Sequence, residues 1–374
     1  MEYKEYELGE LLYYEQPTPY IVESTDYNDA YETPVLTAGK SFILGYTDEK
    51  EGIYDQLPVI IFDDFTTASQ YVNFKFKVKS SAMKILTPVT ELVLPKYIYY
   101  RMQIINFDHS THKRYWIQQY SKIRVSVPPL PEQERIVSRI EELFSQLDAG
   151  VETLKKTKAQ LSVYRQAVLK EAFSCCAEKK PIREMSSIVT SGSRGWAKYY
   201  CDNGAKFIRI GNLTRNKIYI DLDDIQHVQL PDKAEGTRTK LAPNDVLVSI
   251  TADLGSIGLV PNGIGEAYVN QHIAMIRFNN QMQGEFYAWY LRSEYGQQDL
   301  LRNKRGGGKL GLGLDDIRDS RVPVVSNETA ESILSIIECR LSVCDSIEHT
   351  VDLALQQAEA MRQSILKQAF KGEL

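Results

Sequence analysis

Two stretches of the chain place apolar side chains at alternating steps of four and three residues. From Ile136 the steps fall on Ile140, Leu143, Leu147, Gly150, Leu154, Thr157, Leu161, Tyr164 and Val168. From Ile333 they fall on Ile337, Arg340, Cys344, Ile347, Val351, Ala354, Ala358, Met361 and Ile365. A seam of that period marks a coiled coil and not a broad core face. Pro128, Pro129 and Pro131 punctuate the start of the first stretch, and Pro323 stands before the second. Each is predicted as a helix of about 43 residues, on the order of 65 Å long at 1.5 Å per residue. The stretches are also copies of one another. Residues 135–173 and 332–370 align without a gap at an offset of 197, with 14 of 39 positions identical.

The blocks in front of these helices have a different texture. Short β-branched or aromatic runs alternate with turns: Leu57–Phe62 and Tyr71–Val78 in the first block, Lys206–Ile210, Asp245–Ile250 and Ile273–Phe278 in the second. These are predicted strands of mixed α/β domains. Each block closes with a helical stretch, near Pro95–Asn106 and Gly284–Asn303, and leads into its long helix through Ile123–Val127 or Ser320–Val324. The expected order is a first variable domain over 1–125, a central helix over 126–175, a second domain over 176–322 and a distal helix over 323–374. The fold class is α+β, built as a pseudo-twofold repeat.

Composition narrows the function. At 43% hydrophobic and 25% charged residues, disorder is excluded for most of the 374-residue chain. No apolar run reaches the roughly 18–20 residues that span a bilayer. Met1–Leu8 lacks the basic and apolar regions of a secretion signal, so export is not expected. Five cysteines form no C-x-x-C, which fits reduced thiols and a cytoplasmic location. The net charge of −5 is uneven: −4 over 1–125, zero over 126–175, +3 over 176–322 and −4 over 323–374. An anionic partner must therefore be met by local patches.

Several segments carry a resemblance. Val127-Pro-Pro-Leu-Pro-Glu-Gln-Glu-Arg-Ile-Val137 looks like the lead-in to the central conserved helix of the specificity subunits of type I restriction-modification enzymes. Ser364–Leu374 is similar to that family's C-terminal end. Pro34–Lys40 and Val59–Thr66 resemble parts of a first target-recognition domain, and Phe207–Leu213 and Asp245–Ile250 parts of a second. The second lead-in, Val324–Thr329, departs from the pattern by lacking Pro-Pro-Leu-Pro. The resemblance implies two target-recognition domains, each reading half of a split site on double-stranded DNA. It implies two long helices packed as an antiparallel coiled coil that acts as a spacer. It also implies two methyltransferase subunits as partners, with S-adenosylmethionine bound on them, and restriction subunits that translocate and cut. A coiled-coil scaffold carrying two ligand modules unrelated to DNA is the alternative reading.

Candidate contacts follow residue by residue. In the first block, Asp63, Asp64, Thr66, Thr67 and Ser69 follow an apolar strand, as a metal site or a hydrogen-bonding DNA loop would. His109–Trp116 is basic and aromatic: His109 and His112 make an H-x-x-H that is a poor zinc signal, and the segment reads as a DNA-facing loop of His112, Lys113 and Arg114 in which Lys113 and Arg114 supply phosphate neutralisation. In the second block, Ser193, Arg194 and Trp196 lie in a small-residue loop that either touches DNA or packs as a turn. Arg209, Asn212, Thr214 and Arg215 lie on or after a strand, where some must face the core. Lys304, Arg305 and Lys309 belong to a glycine-rich basic loop; the G-x-G-x-x-G match at Gly306–Gly311 follows a polar, helix-like run and does not fit a dinucleotide site. For partners, Ile136, Ile140, Arg165 and Gln166, with Ile333, Ile337, Arg362 and Gln363, form quasi-equivalent helix ends. No metal site and no catalytic residue is predicted: the chain lacks methyltransferase, helicase, nuclease and G-x-S-x-G motifs.

Overall fold

A computed structural model of the protein describes residues 3–38, 41–108, 114–215, 217–231, 237–302 and 311–374. The long helices run unbroken over Leu130–Ala172 and Asn327–Lys371. The chain divides into two compact units, Met1–Leu154 with Asp352–Leu374, and Lys155–Val351. Each unit therefore takes one domain together with half of each long helix. The reason is apolar burial. In the first unit Ile136, Ile140, Phe144, Ile365 and Leu366 share a core with Leu8, Tyr97 and Trp116. In the second, Val168, Leu169, Phe173, Ile333 and Ile337 share one with Ile182, Phe286 and Tyr290.

The two domains show no obvious identity in sequence, yet they have matching topologies. A four-stranded antiparallel sheet in the first unit runs in the order Leu12–Glu15, Met83–Pro88, Val59–Asp63, Ser69–Val72. Its counterpart runs Ser186–Ser191, Ile273–Phe278, Val246–Ser249, Ile257–Leu259. A second sheet pairs Thr33–Leu36 antiparallel with Ile43–Thr47 and parallel with Lys77–Val78. In the other unit Ala205–Ile208 pairs antiparallel with Gln226–Val228 and parallel with Ala267–Val269. Each lead-in strand is clipped to the first strand of its own unit, Arg124–Val127 on Lys4–Glu7 and Arg321–Pro323 on Lys179–Pro181.

Three expectations are corrected. Tyr71–Val78 is not one strand: Ser69–Val72 and Lys77–Val78 belong to different sheets. Gly284–Asn303 holds two helices, Gly284–Arg292 and Glu294–Leu301, divided at Ser293, whose hydroxyl caps the second by accepting from Gly296 N. The seam is also incomplete. Tyr164, Ile347 and Met361 fall on seam steps but are 48%, 40% and 54% exposed, because the apolar faces of the helices are shared with the domains.

Within each unit the helix halves run antiparallel. In the first, Arg135 donates to the Leu374 carbonyl and Arg362 pairs with Asp148. In the second, Arg340 pairs with Glu171, and Arg165 lies 2.7 Å from Asp345 and 2.8 Å from Glu348. The pairs Arg362–Asp148 and Arg165–Asp345 are the same pair at the offset of 197.

Candidate nucleic-acid interface

In the first unit the apolar strand Val59–Asp63 delivers a tight turn. Asp63 Oδ1 accepts from Phe65 N at 2.8 Å and Thr66 N at 3.1 Å, and Thr67 takes a left-handed φ of 56°. Asp64 points inward. Its carboxylate, 1% exposed with its residue, accepts from Trp116 N at 2.7 Å and lies 3.4 Å from the buried Lys84 ammonium. Its carbonyl accepts from Tyr115 N at 2.9 Å. Buried charges persist when they are paired and hydrogen-bonded, so the aspartates are committed to structure and not to a metal. The consequence is local. Asp64 pins Tyr115 and Trp116 to the turn, which brings Arg114 to its tip, 6.0 Å from the ring centre of the half-exposed Phe65.

Phe65, Thr66 and Arg114 thus form one exposed apex. Phe65 was missed by sequence reasoning; its signal was an aromatic residue directly after a paired-aspartate turn. Ser69 is a correction: it is 7% exposed and its Oγ accepts from Gln103 Nε2 at 2.8 Å, so it belongs to the interior. His112 and Lys113 lie outside the described residues.

In the second unit the loop after Ser186–Ser191 meets the turn after Ala205–Ile208. Both are tied to Asn270: Gly192 N donates to its carbonyl at 3.2 Å, and its N–H donates to Ile208 O at 3.0 Å. A Cβ at Gly192 would lie 2.1 Å from Val269 O, so only glycine allows this approach. Gly195, at φ 80°, then turns the chain so that Trp196 enters the core. Trp196 is 4% exposed and stacks on Phe207 with centroids 5.4 Å apart. It is a packing residue, which corrects its assignment to DNA. Ser193 is half-buried and Arg194 exposed, and among the described residues Arg194 has no ion-pair partner. The exposed Arg238, also missed, donates at 3.2 Å to Oγ1 of Thr190, on the strand that leads into this loop.

The second strand turn splits its four candidates. Asn212 is 4% exposed: its Oδ1 accepts from Arg209 N at 2.8 Å, and its amide donates to the carbonyls of Asp221 and Asp224. All its polar atoms are used inside the protein, a further correction. Arg209 is half-buried, 3.7 Å from Asp224, in a recess also lined by Asp221 and Asp223. Thr214 and Arg215 line a different cavity, against the central helix. Thr214 Oγ1 accepts from Lys217 N, and Arg215 is 2.5 Å from Asp253, whose carboxyl the Arg215 and Ser256 hydrogen bonds hold below its usual range. Lys304, Arg305 and Lys309 lie outside the described residues.

The partner candidates divide in the same way. Ile136, Ile140, Ile333 and Ile337 are between 0% and 8% exposed and form core, so they present no docking surface. Arg165 and Arg362 are used by the helix pair itself, and Arg362 also lies 4.3 Å over the Phe144 ring. Gln166 remains exposed and Gln363 half-exposed. Open apolar side chains on the long helices include Val163, Tyr164, Ile336, Val343 and Ile347 in one unit and Leu353 and Met361 in the other. Tyr164 and Met361 are counterparts at the offset of 197.

Known proteins share this plan. The sequence matches the type I restriction modification DNA specificity domain over residues 1–162 and 178–357, one stretch in each half. The type I restriction enzyme EcoR124I/EcoR124II specificity subunit of Escherichia coli is 32% identical over a 385-residue alignment covering 95% of this chain and 92% of that protein. The EcoBI specificity subunit, also of Escherichia coli, is 26% identical over 278 residues, 66% of this chain and 58% of the relative. A chain solved in a study of assembly and conformational transition of the type I R-M system covers 100% of this chain and 98% of its own, with a TM-score of 0.70 at 15% identity.

Proposed function

This chain belongs to the type I restriction-modification DNA specificity family and recognises DNA sequence, and from that premise we propose how the recognition is divided. Each unit reads one half of a bipartite duplex site. The observation that carries this is the repeated topology: two domains with matching sheets, each preceding one copy of a repeated helix, offer two readers and not one. Arg194 with Arg238 supplies the cationic apex of the second unit, and Arg114 with Phe65 and Thr66 that of the first. The chain carries no chemistry of its own. Two methyltransferase subunits, holding S-adenosylmethionine, dock at the equivalent exposed positions Tyr164 and Met361, and restriction subunits join that complex.

Methylome sequencing of a host carrying this chain with its methyltransferase tests the division of the site. The expected product is one methylated motif made of two specified halves around an unspecified spacer. A single contiguous motif would remove the two-reader reading. Light scattering of the purified complex tests the docking. Tyr164→Asp and Met361→Asp should each reduce the bound methyltransferase from two copies to one, and undiminished binding in both would move the docking site elsewhere.

A further inference from the structure

In the unit Lys155–Val351, a cavity of about 570 Å³ is walled by the central helix, the turn at Arg215 and the end of the Gly284–Arg292 helix. Four cations from three elements line it: Lys158, Arg165, Arg215 and Arg292. Three are matched. Arg165 lies beside Asp345 and Glu348, Lys158 is 3.8 Å from Glu348, and Arg215 holds Asp253. Glu294, also on the wall, is held by Lys170 at 2.9 Å.

Arg292 is different. Among the described residues no carboxylate pairs with it; it donates to the Lys217 carbonyl at 2.8 Å and lies 5.6 Å over the Trp289 ring. Burial, with the charges of Arg165 and Arg215, pushes its guanidinium down to about 10. It remains charged at neutral pH, and a half-buried cation facing two others is costly until an anion joins it.

The other unit supplies an internal comparison. A cavity of about 540 Å³ there is lined by Glu359, Arg362, Gln363 and Leu366, the counterparts of Ser162, Arg165, Gln166 and Leu169. At the end of its short helix, however, Tyr100 and Gln103 stand where the second unit has Trp289 and Arg292. Its one lining cation, Arg362, faces Glu141, Asp148 and Glu359. The frame is repeated and the sign of the charge is reversed.

We infer that the cavity walled by Arg165, Arg215, Arg292 and Trp289 binds a small phosphate-bearing ligand, an inorganic or a nucleoside polyphosphate, in this unit alone. Guanidinium forks match phosphate oxygens in pairs. The volume is that of a small-molecule site, and the half-buried Trp289 offers a ring face. The inference does not depend on how the two units divide the DNA site.

Calorimetric titration of the full-length chain with sodium pyrophosphate and, separately, with ATP tests it, at fixed ionic strength and without DNA. One ligand per chain is expected. Arg292→Gln should weaken binding at least tenfold, Arg292→Lys less, and Arg215→Gln severalfold. Equal affinity for pyrophosphate and ATP would assign recognition to the phosphates alone. Tighter ATP binding, lowered to the pyrophosphate level by Trp289→Leu, would add the ring. The inference fails if neither compound binds, if two bind per chain, or if Arg292→Gln or Arg215→Gln, melting like the parent protein, binds unchanged.

Discussion

At the foot of each long helix a buried glutamine ties the helix to its domain, but the glutamine comes from opposite sides. In the first unit it is Gln133, on the central helix. It accepts from Leu94 N, the residue capping the Pro95–Met102 helix, at 2.8 Å, and donates to Leu92 O and Pro128 O. In the second unit it is Gln283, the cap of the Gly284–Arg292 helix. It donates to Val325 O and Asn327 Oδ1 at the start of the distal helix and accepts from Tyr287 Oη at 2.8 Å. Ala330 stands where Gln133 would be and is 2% exposed. Buried helix ends leave backbone groups that need partners, and either side of the junction can supply them. That is why the second lead-in can do without the Pro-Pro-Leu-Pro-Glu-Gln sequence and still seat its helix.

The largest effect on this comparison is expected in the helix cores. Ile140 and Ile337 are counterparts, each 0% exposed. Replacing either by Ala should cost roughly 2–5 kcal/mol, from lost burial and the cavity left behind. Urea unfolding would measure both; a large loss at one and almost none at the other would break the equivalence of the units.

The glutamine latches come next. Gln133→Ala leaves three backbone groups, at Leu92, Leu94 and Pro128, without their side-chain partner, and Gln283→Ala strands the Val325 carbonyl and the Tyr287 hydroxyl, while Asn327 Oδ1 keeps its bond from Asn280 Nδ2. Each should cost about 1–3 kcal/mol. Because the latches lie in separate units, the double variant should lose nearly the sum of the two. Strong coupling in the unfolding free energies would show that the units do not hold their helix ends independently.

The smallest effects are expected at the exposed arginines proposed to meet DNA. Arg194→Ala and Arg114→Ala should each lower the slope of log affinity against log salt by about 0.9 if the side chain neutralises one phosphate. If Arg194 reads a guanine instead, its loss relaxes one position of one half-site at about 1–3 kcal/mol. Titrations against specific and scrambled duplexes at several salt concentrations separate the two. Ordinary slopes and specificity in both variants would assign these loops to structure.

The sequence by itself determined the repeat, the two long helices and most of the strands, because these rest on periodicity and local propensity that successive residues carry. It also carried the family resemblance, in short contiguous runs such as Val127–Val137. What only the tertiary structure decided was the fate of each polar or seam residue. Trp196, Asn212 and Ser69 read as surface contacts and are interior, while Tyr164 and Met361 read as seam and are open. Arg215, three residues from Asn212 in the chain, faces a cavity against a helix that begins 85 residues earlier, at Leu130. The matching topology of the two domains was equally invisible, since many sequences satisfy the same strand pairing. Which face a side chain takes depends on what packs against it from distant parts of the chain, and no local pattern states that.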